Sequence, residues 1–124
     1  NAAIARVQLR KLSKFVSHRN KIANIYKQEL RGLADFQVYD SDRFKSNYFF
    51  FGIRVEDRPP VIDKMYSNGI QVKTWTAVHK QTIWNDVELA NASAISDSIV
   101  LLPIHNLIEE EEVEYTIKKL KEVL

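Results

Sequence analysis

The sequence predicts an α+β domain in which a long N-terminal helix and shorter helices cover a small, mostly antiparallel sheet of three to four strands. Three observations lead to this prediction. A helical periodicity runs through about the first thirty residues, short aromatic and β-branched runs follow it, and a second helical stripe lies near the C-terminus. With 124 residues, 45% of them hydrophobic, the chain can bury a core of its own, and we expect residues 1–124 to form a single domain.

The first helix is predicted to run from Ala2 to about Leu33, where Gly32 suits a helix end. Its apolar residues recur at alternating steps of three and four, interrupted by Arg19: Ala2, Ala5, Leu9, Leu12, Val16, Ala23, Tyr26 and Leu30. Four more apolar residues lie off that stripe: Ile4, Phe15, Ile22 and Ile25. The helix is therefore expected to pack against more than one neighbour. Because the pattern begins at Asn1 without an initiating Met, we expect a helix severed from a longer protein; removal of a tag is the alternative.

Four segments are predicted as strands because they are short, apolar or alternating, and bounded by turn residues or proline: residues 36–39, 48–55, 70–75 and 98–102. The phenylalanines of the second segment are interpreted as residues that face a core rather than as a stacking platform for bases. Residues 76–84 have no clean period and are predicted to form a loop.

A second helix is predicted to open at Pro59-Pro60 and to stop at Asn68-Gly69. Three of its residues are expected to face inward: Ile62, Met65 and Tyr66. Residues 85–94 show a weak helical pattern. A C-terminal helix is indicated behind the acidic residues 109–112, whose charges suit the positive end of a helix dipole. Four of its apolar residues lie at helical spacing: Val113, Ile117, Leu120 and Leu124.

The chain lacks the patterns that would provide chemistry of its own. It has no cysteine, which excludes disulfides and thiolate catalysis, and its three glycines are too far apart to form a phosphate-binding loop. Its three histidines are not at ligand spacing with one another or with a carboxylate, so no metal site is predicted. No Gly-flanked serine suggests a nucleophile. We therefore expect no catalytic residue in this chain.

Charge and hydropathy exclude two kinds of partner. The formal net charge is only +2, and basic residues are interleaved with acidic ones, which does not favour nucleic acid or an anionic membrane. No apolar stretch approaches the length of about 20 residues that a membrane span needs. No signal peptide is visible either, and we expect a cytoplasmic protein.

The segment from Trp75 to Trp84 is less easily explained as a structural element. It holds His79, Lys80 and Gln81 directly after a predicted strand. Rings with polar tips, histidine and amides are typical of a site for a sugar or a nucleotide. In the alternative, the two tryptophans fill a sheet edge and the histidine is satisfied by the backbone; the residue types alone do not separate the two.

Three segments, in order and nearly spanning the chain, resemble the DegT/StrS-type sugar aminotransferases, which depend on pyridoxal phosphate and act on nucleotide-linked keto-sugars. The first resembles the long helix that enters the small domain of that family: Asn1-Ala2-Ala3-Ile4-Ala5, Gln8-Leu9, Leu12, Arg19, Ile22-Ala23 and Tyr26. The second is similar to a loop of the family: Gly69-Ile70, Trp75, Val78-His79, Gln81 and Trp84. The third resembles its C-terminal segment: Ala94-Ile95-Ser96-Asp97, Leu101-Leu102-Pro103-Ile104-His105 and Glu110-Glu111-Glu112-Val113.

Some positions depart from the pattern of the family. Thr74 stands where the family often has His, Trp75 where it has Tyr, and Ala77 where it has Pro. Ile108 replaces a Thr-type helix cap, which is expected to weaken the start of the last helix.

The resemblance implies the C-terminal small domain of a fold-type I aminotransferase. In that family the catalytic lysine and the groups that hold the cofactor lie in the large domain, so pyridoxal phosphate is expected to bind the parent protein and not this fragment alone. His79 is the expected polar contact to the sugar nucleotide or the cofactor edge, Trp75 would line the site, and Lys73 or Gln81 would assist. The expected partners are the missing large domain and further copies in a homo-oligomer. A free-standing or degenerate non-catalytic binding module is the alternative.

Overall fold

The computed structural model describes most of the chain: residues 2–36, 41, 43–75, 77–81 and 89–124. Within these ranges the helices are α1 (Ala2–Glu29), α2 (Arg58–Ser67), α3 (Ala90–Ser98) and α4 (Glu110–Lys121). The strands are β1 (Asp35–Phe36), β2 (Phe51–Arg54) and β3 (Ile99–Leu102), and a short 3₁₀ helix spans Val78–Lys80. The predicted α+β class, with its long N-terminal helix, is confirmed.

The three strands form one antiparallel sheet in the order β1-β2-β3. In the central strand, Ile53 lies opposite Phe36 on one side and opposite Val100 on the other. Side chains alternate along a strand, so the residues that share this face pack together. They join one core with buried residues of three helices: Ile22 and Tyr26 of α1, Val61 and Met65 of α2, and Val113, Ile117 and Leu120 of α4.

A hydrogen bond from a buried tyrosine joins α1 to the residue that follows β3. The Tyr26 hydroxyl donates a hydrogen bond of 2.9 Å to the Pro103 carbonyl. Burial raises the pKa of Tyr26 well above its ordinary value, although a hydrogen bond with Thr116 opposes the shift. The phenol therefore stays protonated near neutral pH and remains a hydrogen-bond donor.

Two predicted strands differ from the structure. The strand predicted at 48–55 begins only at Phe51, because Tyr48 has a φ of 42°, in the left-handed region that an extended strand does not use. The strand predicted at 70–75 is wrong: Lys73 alone forms an isolated bridge with Leu101. Of the strand predicted at 36–39, Phe36 belongs to β1, and residues 37–40 lie outside the described residues.

The helices follow the predictions more closely. Gly32 and Gly69 adopt positive φ values of 77° and 74° just beyond α1 and α2, as their predicted roles at helix ends require. In α2 the inward stripe is Val61 and Met65, and the inward placement of Tyr66 is wrong, since it is 54% exposed. The predicted helix at 85–94 starts at Ala90 and continues to Ser98; residues 85–88 lie outside the described residues.

The prediction that Ile108 weakens the start of α4 is wrong. Ile108 is buried rather than a helix cap, and the N-cap is the next residue, Glu109. The Glu109 backbone N–H donates to the Glu112 carboxylate at 2.9 Å, so the N-cap amide is satisfied. The helix start is therefore not weakened by the apolar residue. Leu124, predicted to lie on the inward stripe, follows the end of the helix and is exposed.

The first half of α1 lies apart from the core. Every residue from Ala2 to Lys14 is exposed, including Ile4 at 66% and Leu9 at 69%, whereas the buried residues of the helix begin at Ile22. The helix carries seven basic residues and a single acidic one, Glu29. Basic and acidic residues are therefore not interleaved in α1 as they are in the whole chain. Because residues 2–14 are exposed, we expect the stability of this half of the helix to depend on interactions within the helix itself.

A substitution near the N-terminus tests this local control. Cations near a helix N-terminus oppose the macrodipole, and Arg6 and Arg10 repel each other at i,i+4 spacing. We expect Arg6→Glu to stabilise the first turns of α1 by about 0.3–1 kcal/mol and to slow their amide hydrogen exchange. Arg31→Glu, the same charge change beyond the C-terminal end of α1, should bring no such protection. Equal protection from both variants would mean that net charge, and not position on the helix, is responsible.

A carboxylate at the end of α4 gives the domain an acid-sensitive contact. Glu122 lies 2.7 Å from the Lys64 ammonium and 2.9 Å from that of Lys119, and these two partners lower its pKa from 4.5 to about 2. A carboxylate with a lowered pKa contributes stability that is present above its unfolded value and is lost as the pH falls through the folded value.

We therefore expect Glu122→Gln to lower the free energy of unfolding near neutral pH. The difference from the unsubstituted chain should shrink as the pH falls from about 4.5 to about 2. Urea titrations across that range measure it. Glu56→Gln, at an exposed carboxylate outside these ion pairs, is the matched control, and an equal pH dependence in both variants would contradict the assignment to Glu122.

Candidate functional site

The two faces of the sheet have different surroundings. One face of the sheet packs on α1, α2 and α4. Gly52 and its register partner Leu101 lie on the opposite face, which we call the outer face. A Cβ on Gly52 would lie only 2.9 Å from Ile99 Cδ1. The missing side chain therefore leaves room for the Ile99 side chain on the outer face beside Leu101.

Two backbone hydrogen bonds with Leu101 place Lys73 beside the edge strand β3. Its N–H donates to the Leu101 carbonyl at 3.1 Å, and the Leu101 N–H donates to the Lys73 carbonyl at 2.7 Å. The Lys73 side chain is exposed. The bridge carries the following residues along the free edge of β3, and so brings Trp75 beside the sheet.

Three aromatic residues form an exposed group here, which we call the aromatic cluster: Phe49, Phe50 and Trp75. The Phe50 ring centroid lies 5.0 Å from that of Trp75 and 4.5 Å from that of Phe49, and both pairs meet edge to face. Phe50 is 41% exposed and Trp75 is 53% exposed. The interpretation of the phenylalanine run as core is thus correct for Phe51 and wrong for the other two, because the strand begins after them.

Two clefts adjoin along Phe50 and Leu101, which line both. The larger, of about 700 Å³, lies between Lys73, His105 and the start of α4. The Leu107 N–H donates to His105 Nδ1 at 3.3 Å. The smaller cleft, of about 330 Å³, is lined by further residues of the outer face and its margin: Ser46, Tyr48, Phe51, Gly52, Trp75 and Ile99.

A buried serine holds the segment that follows Trp75. The Ser96 hydroxyl donates to the Trp75 carbonyl at 2.8 Å and accepts from the Ala77 N–H at 3.0 Å. The Arg58 guanidinium in turn donates to the Ser96 carbonyl at 2.5 Å. Ser96 thus ties the loop to α3, and an exposed ion pair of 2.6 Å between Lys80 and Asp97 lies close by.

The other two predicted site residues lie in and after the 3₁₀ helix. His79 is its middle residue, and Gln81 follows it, with the Gln81 N–H donating to the Val78 carbonyl at 3.0 Å. Lys73 thus lines the larger cleft, Trp75 contacts Phe50 and lines the smaller one, and His79 and Gln81 lie on the next turn of chain. The contact predicted for the His79 side chain stays a prediction, and Trp84 lies outside the described residues.

Sequence reasoning did not assign functional roles to Phe50, Ser96 or His105. Ser96 and His105 lie within the segments that resemble the sugar aminotransferases, and that placement was the available signal. Phe50 had none, because an exposed and a buried phenylalanine are the same in sequence. Its exposure follows from its position on the outer face with Gly52 and Leu101, opposite the helices.

Two kinds of site do not occur in the part of the chain that the structure describes. No three His, Cys, Asp or Glu side chains are grouped so that they could hold a metal ion. None of the helices there has the length and apolar character required to cross a bilayer.

The architecture matches that of solved aminotransferases. The aminotransferase TlmJ from Streptoalloteichus hindustanus superposes with a TM-score of 0.90 at 25% identity, over 98% of this chain and 35% of that one. Spr1654 from Streptococcus pneumoniae, solved in a PLP-form, superposes with a TM-score of 0.85 at 22% identity, over 94% of this chain and 33% of that one. The fold is therefore that of the small domain of an aminotransferase.

The sequence carries the assignment further. Residues 1–121 match the model of the DegT/DnrJ/EryC1/StrS aminotransferase family, and the chain belongs to that family. It is also 30% identical over 118 residues to the dTDP-4-dehydro-2,3,6-trideoxy-D-glucose 4-aminotransferase of Saccharopolyspora spinosa. That match covers 90% of this chain and 31% of the relative, so the chain spans about a third of the length of the proteins it matches. The predicted family membership is confirmed.

Proposed function

We propose that this chain is the C-terminal small domain of a pyridoxal-phosphate-dependent aminotransferase that acts on a nucleotide-linked keto-sugar, in the biosynthesis of amino sugars for cell-surface polysaccharides. The observation that carries the proposal is the family match over residues 1–121. The similarity to an enzyme named for a dTDP-linked dehydro-sugar supports the substrate class.

In this proposal the chain forms one wall of the substrate site and closes over the bound substrate. All eleven lysines lie in the described residues, and none of them is buried. A lysine that anchors the cofactor needs a pocket that favours its neutral amine, and none of the eleven is enclosed in such a pocket within this chain. The residues present therefore do not fit the role of cofactor anchor, and we assign pyridoxal phosphate to the large domain of the parent protein.

Within that wall, the positions of the predicted site residues support separate roles. Trp75 offers a ring face to the substrate at the outer face, and Lys73 offers a positive charge at the larger cleft. His79 and Gln81 follow on a turn that Ser96 holds in place, and they are assigned polar contacts with the sugar. The role of these residues is to bind and orient the substrate, and the bound cofactor would supply the electron sink for amino transfer.

The proposal includes the setting of the parent protein. We assign it to the cytoplasm and to a homo-oligomer, most simply a dimer, with the large domain as the partner of this chain. The exposed apolar residues in the first half of α1, among them Ile4 and Leu9, support a covering partner. No metal and no nucleic acid is part of the proposed activity.

A non-catalytic relative is the second candidate, and the departures from the family pattern favour it. Thr74, Trp75 and Ala77 all differ from the residues that the family often has in the loop beside the site. A protein that has kept the fold but lost the reaction would use the same surface for binding or oligomerisation alone.

Spectroscopy and activity of the full-length protein separate the two candidates. An aminotransferase should develop visible absorbance when pyridoxal phosphate is added, and should transfer the amino group of L-glutamate to a nucleotide-linked keto-sugar. We expect His79→Ala and Trp75→Ala each to raise KM for the sugar nucleotide about tenfold, whereas Lys45→Ala, at an exposed lysine outside both clefts, should not. Absence of the absorbance and of amino transfer would support the non-catalytic candidate.

A further inference from the structure

The backbone is strained directly before the two phenylalanines of the aromatic cluster. Tyr48 has a φ of 42°, in the left-handed region that residues with a side chain rarely adopt. The side chains of Tyr48 and Phe51 are buried, and Phe49 and Phe50 lie between them with their rings exposed. A strained conformation of this kind persists only where the surrounding structure holds it. The turn at residues 46–49 must therefore be held by specific contacts.

Two side chains within the turn satisfy its amides. The Tyr48 N–H donates to the Ser46 hydroxyl at 3.1 Å, and the Phe49 N–H donates to Asn47 Oδ1 at 3.1 Å. Serine and asparagine make such bonds to an amide two residues further along in many turns, whatever packs beside them. These bonds support the shape of the turn, but they do not determine where it lies relative to the rest of the domain.

Helix α1 holds the turn in its place. The Arg19 Nε–H donates to the Asn47 carbonyl at 3.0 Å, and the Asn20 side-chain amide donates to the Ser46 carbonyl at 3.3 Å. Two consecutive residues of the helix thus bind two consecutive carbonyls of the turn. The bond from Arg19 is the shorter one and has a charged donor, and charge-assisted hydrogen bonds are the stronger kind. Arg19 is therefore the main tie between α1 and the turn.

The position of the turn affects a residue of the proposed substrate wall. Phe50 follows the turn directly, and its ring meets that of Trp75 edge to face, with the centroids 5.0 Å apart. Ser96 holds Trp75 through its backbone carbonyl, whereas Phe50 contacts its ring. A displacement of the turn would therefore remove a neighbour that limits the movement of the Trp75 ring.

We propose that Arg19 is a positioning residue for the substrate wall, and that its bond to the Asn47 carbonyl holds the turn that places Phe50 against the Trp75 ring. The inference rests on the proposed function, because Trp75 is part of such a wall only if the substrate binds beside it. It gives α1 a role in the site although no residue of α1 lines either cleft.

Steady-state kinetics of the full-length protein, with a dTDP-linked keto-sugar and L-glutamate as substrates, test the assignment. Arg19→Met keeps an apolar stem but removes the donor, and Arg19 is only half-buried, so the variant should fold. We expect KM for the sugar nucleotide to rise about fivefold and kcat to change less than about twofold, since the wall binds the substrate without taking part in the chemistry. Arg19→Lys keeps a charged donor and should restore KM to within about twofold.

Fluorescence of this chain provides a second measurement, which needs neither cofactor nor turnover. In a Trp84→Phe background, acrylamide quenching reports the exposure of Trp75. Arg19→Met should raise the quenching constant, by at most about twofold because Trp75 is already 53% exposed, and Arg19→Lys should leave it unchanged.

Lys21→Met is the matched control. Lys21 lies two residues further along α1 and forms an ion pair with Glu110, so its loss removes a cation and a contact of the same helix without altering the turn. Neither KM nor the quenching constant should change. Asn20→Ala is a second test of the turn should Arg19→Met fail to fold. It removes the bond to the Ser46 carbonyl and should raise KM about twofold.

An equal rise in KM in Lys21→Met would overturn the inference, because the loss of a cation from α1 would then be the cause. A lower free energy of unfolding in Arg19→Met with unchanged KM and unchanged quenching would overturn it as well, since Arg19 would then stabilise the fold alone. Increased quenching in Arg19→Met, in a protein whose full-length form transfers no amino group, would reject the proposed reaction alone. Amino transfer with an unaltered KM in Arg19→Met would reject the role of Arg19 alone.

Discussion

Replacement of Ile53 by alanine is expected to lower the free energy of unfolding by about 2–5 kcal/mol. Ile53 is fully buried in the central strand, between Phe36 and Val100. Truncation removes apolar contacts and leaves a cavity, because both neighbours are held by the backbone hydrogen bonds of the sheet and cannot collapse into the space. Urea unfolding followed by circular dichroism measures the change.

Ile4→Ala is the matched control, since it deletes the same atoms from a side chain that is 66% exposed. In this chain it should change the free energy of unfolding by less than about 0.5 kcal/mol. A loss at Ile53 no larger than the loss at Ile4 would contradict the placement of the core. In the full-length protein, by contrast, Ile4→Ala should become costly if the large domain covers α1, so the same pair of variants also locates that contact.

The second large effect is expected at Ser96, which sequence reasoning left without a role. Ser96→Ala removes both the donor to the Trp75 carbonyl and the acceptor of the Ala77 N–H. A fully buried polar group left without a partner costs about 1–3 kcal/mol. Trp75 is exposed and Ala77 is half-buried, so water can replace part of the two lost contacts, and we expect a total loss of about 1–3 kcal/mol in the free energy of unfolding. In a Trp84→Phe background, the fluorescence anisotropy of Trp75 should also fall, because the loop is no longer tied to α3.

Ser98→Ala serves as the control for this effect. The Ser98 hydroxyl donates to the Ala94 carbonyl one turn back in the same helix at 2.8 Å, and the residue holds no part of the loop. It should change stability by less than about 0.5 kcal/mol and leave the anisotropy unaltered. If Ser98→Ala released Trp75 to the same extent, helix α3 as a whole, and not the Ser96 hydroxyl, would be what positions the loop.

The elements that the sequence predicted well are those whose pattern is repeated over several turns. The first helix and the stripe of Val113, Ile117 and Leu120 follow from the period of the α-helix, which needs no knowledge of the partner. The ends of α1 and α2 were also predictable, because Gly32 and Gly69, both at positive φ, mark them locally.

The predictions were wrong where the local sequence is compatible with two different structures. In α2 the choice between Val61 and Tyr66 for the inward face depends on where the helix meets the sheet, and the short helix has apolar residues on both sides. Residues 70–75 alternate like a strand, with Ile70 and Val72 buried, but only Lys73 pairs with β3. A bridge and a strand differ in their partner rather than in their own sequence.

The candidate site was predictable in part. The aromatic and polar residue types between Trp75 and Gln81, together with the resemblance to a family, directed attention to the loop beside the sheet. The contribution of Phe50 was not predictable, because its side chain lies on the same face as Gly52 and Leu101, and a single strand does not show which of its two faces the helices cover. The role of Ser96 was not predictable either, since its two loop contacts join segments that are 19 and 21 residues apart in sequence.

The sequence by itself determined the family, the fold class and the helical elements, because each follows from local periodicity or from residues in a kept order. It also showed that cysteine chemistry and a glycine-rich phosphate loop do not occur in these 124 residues. Only the tertiary structure decided which rings are exposed, which face of the sheet packs on the helices, and that Phe50 lines one cleft with Lys73 and another with Trp75. The physical reason is that a side chain is buried only when another element packs on it. That element is often distant in sequence, so the local pattern of residues does not reveal it.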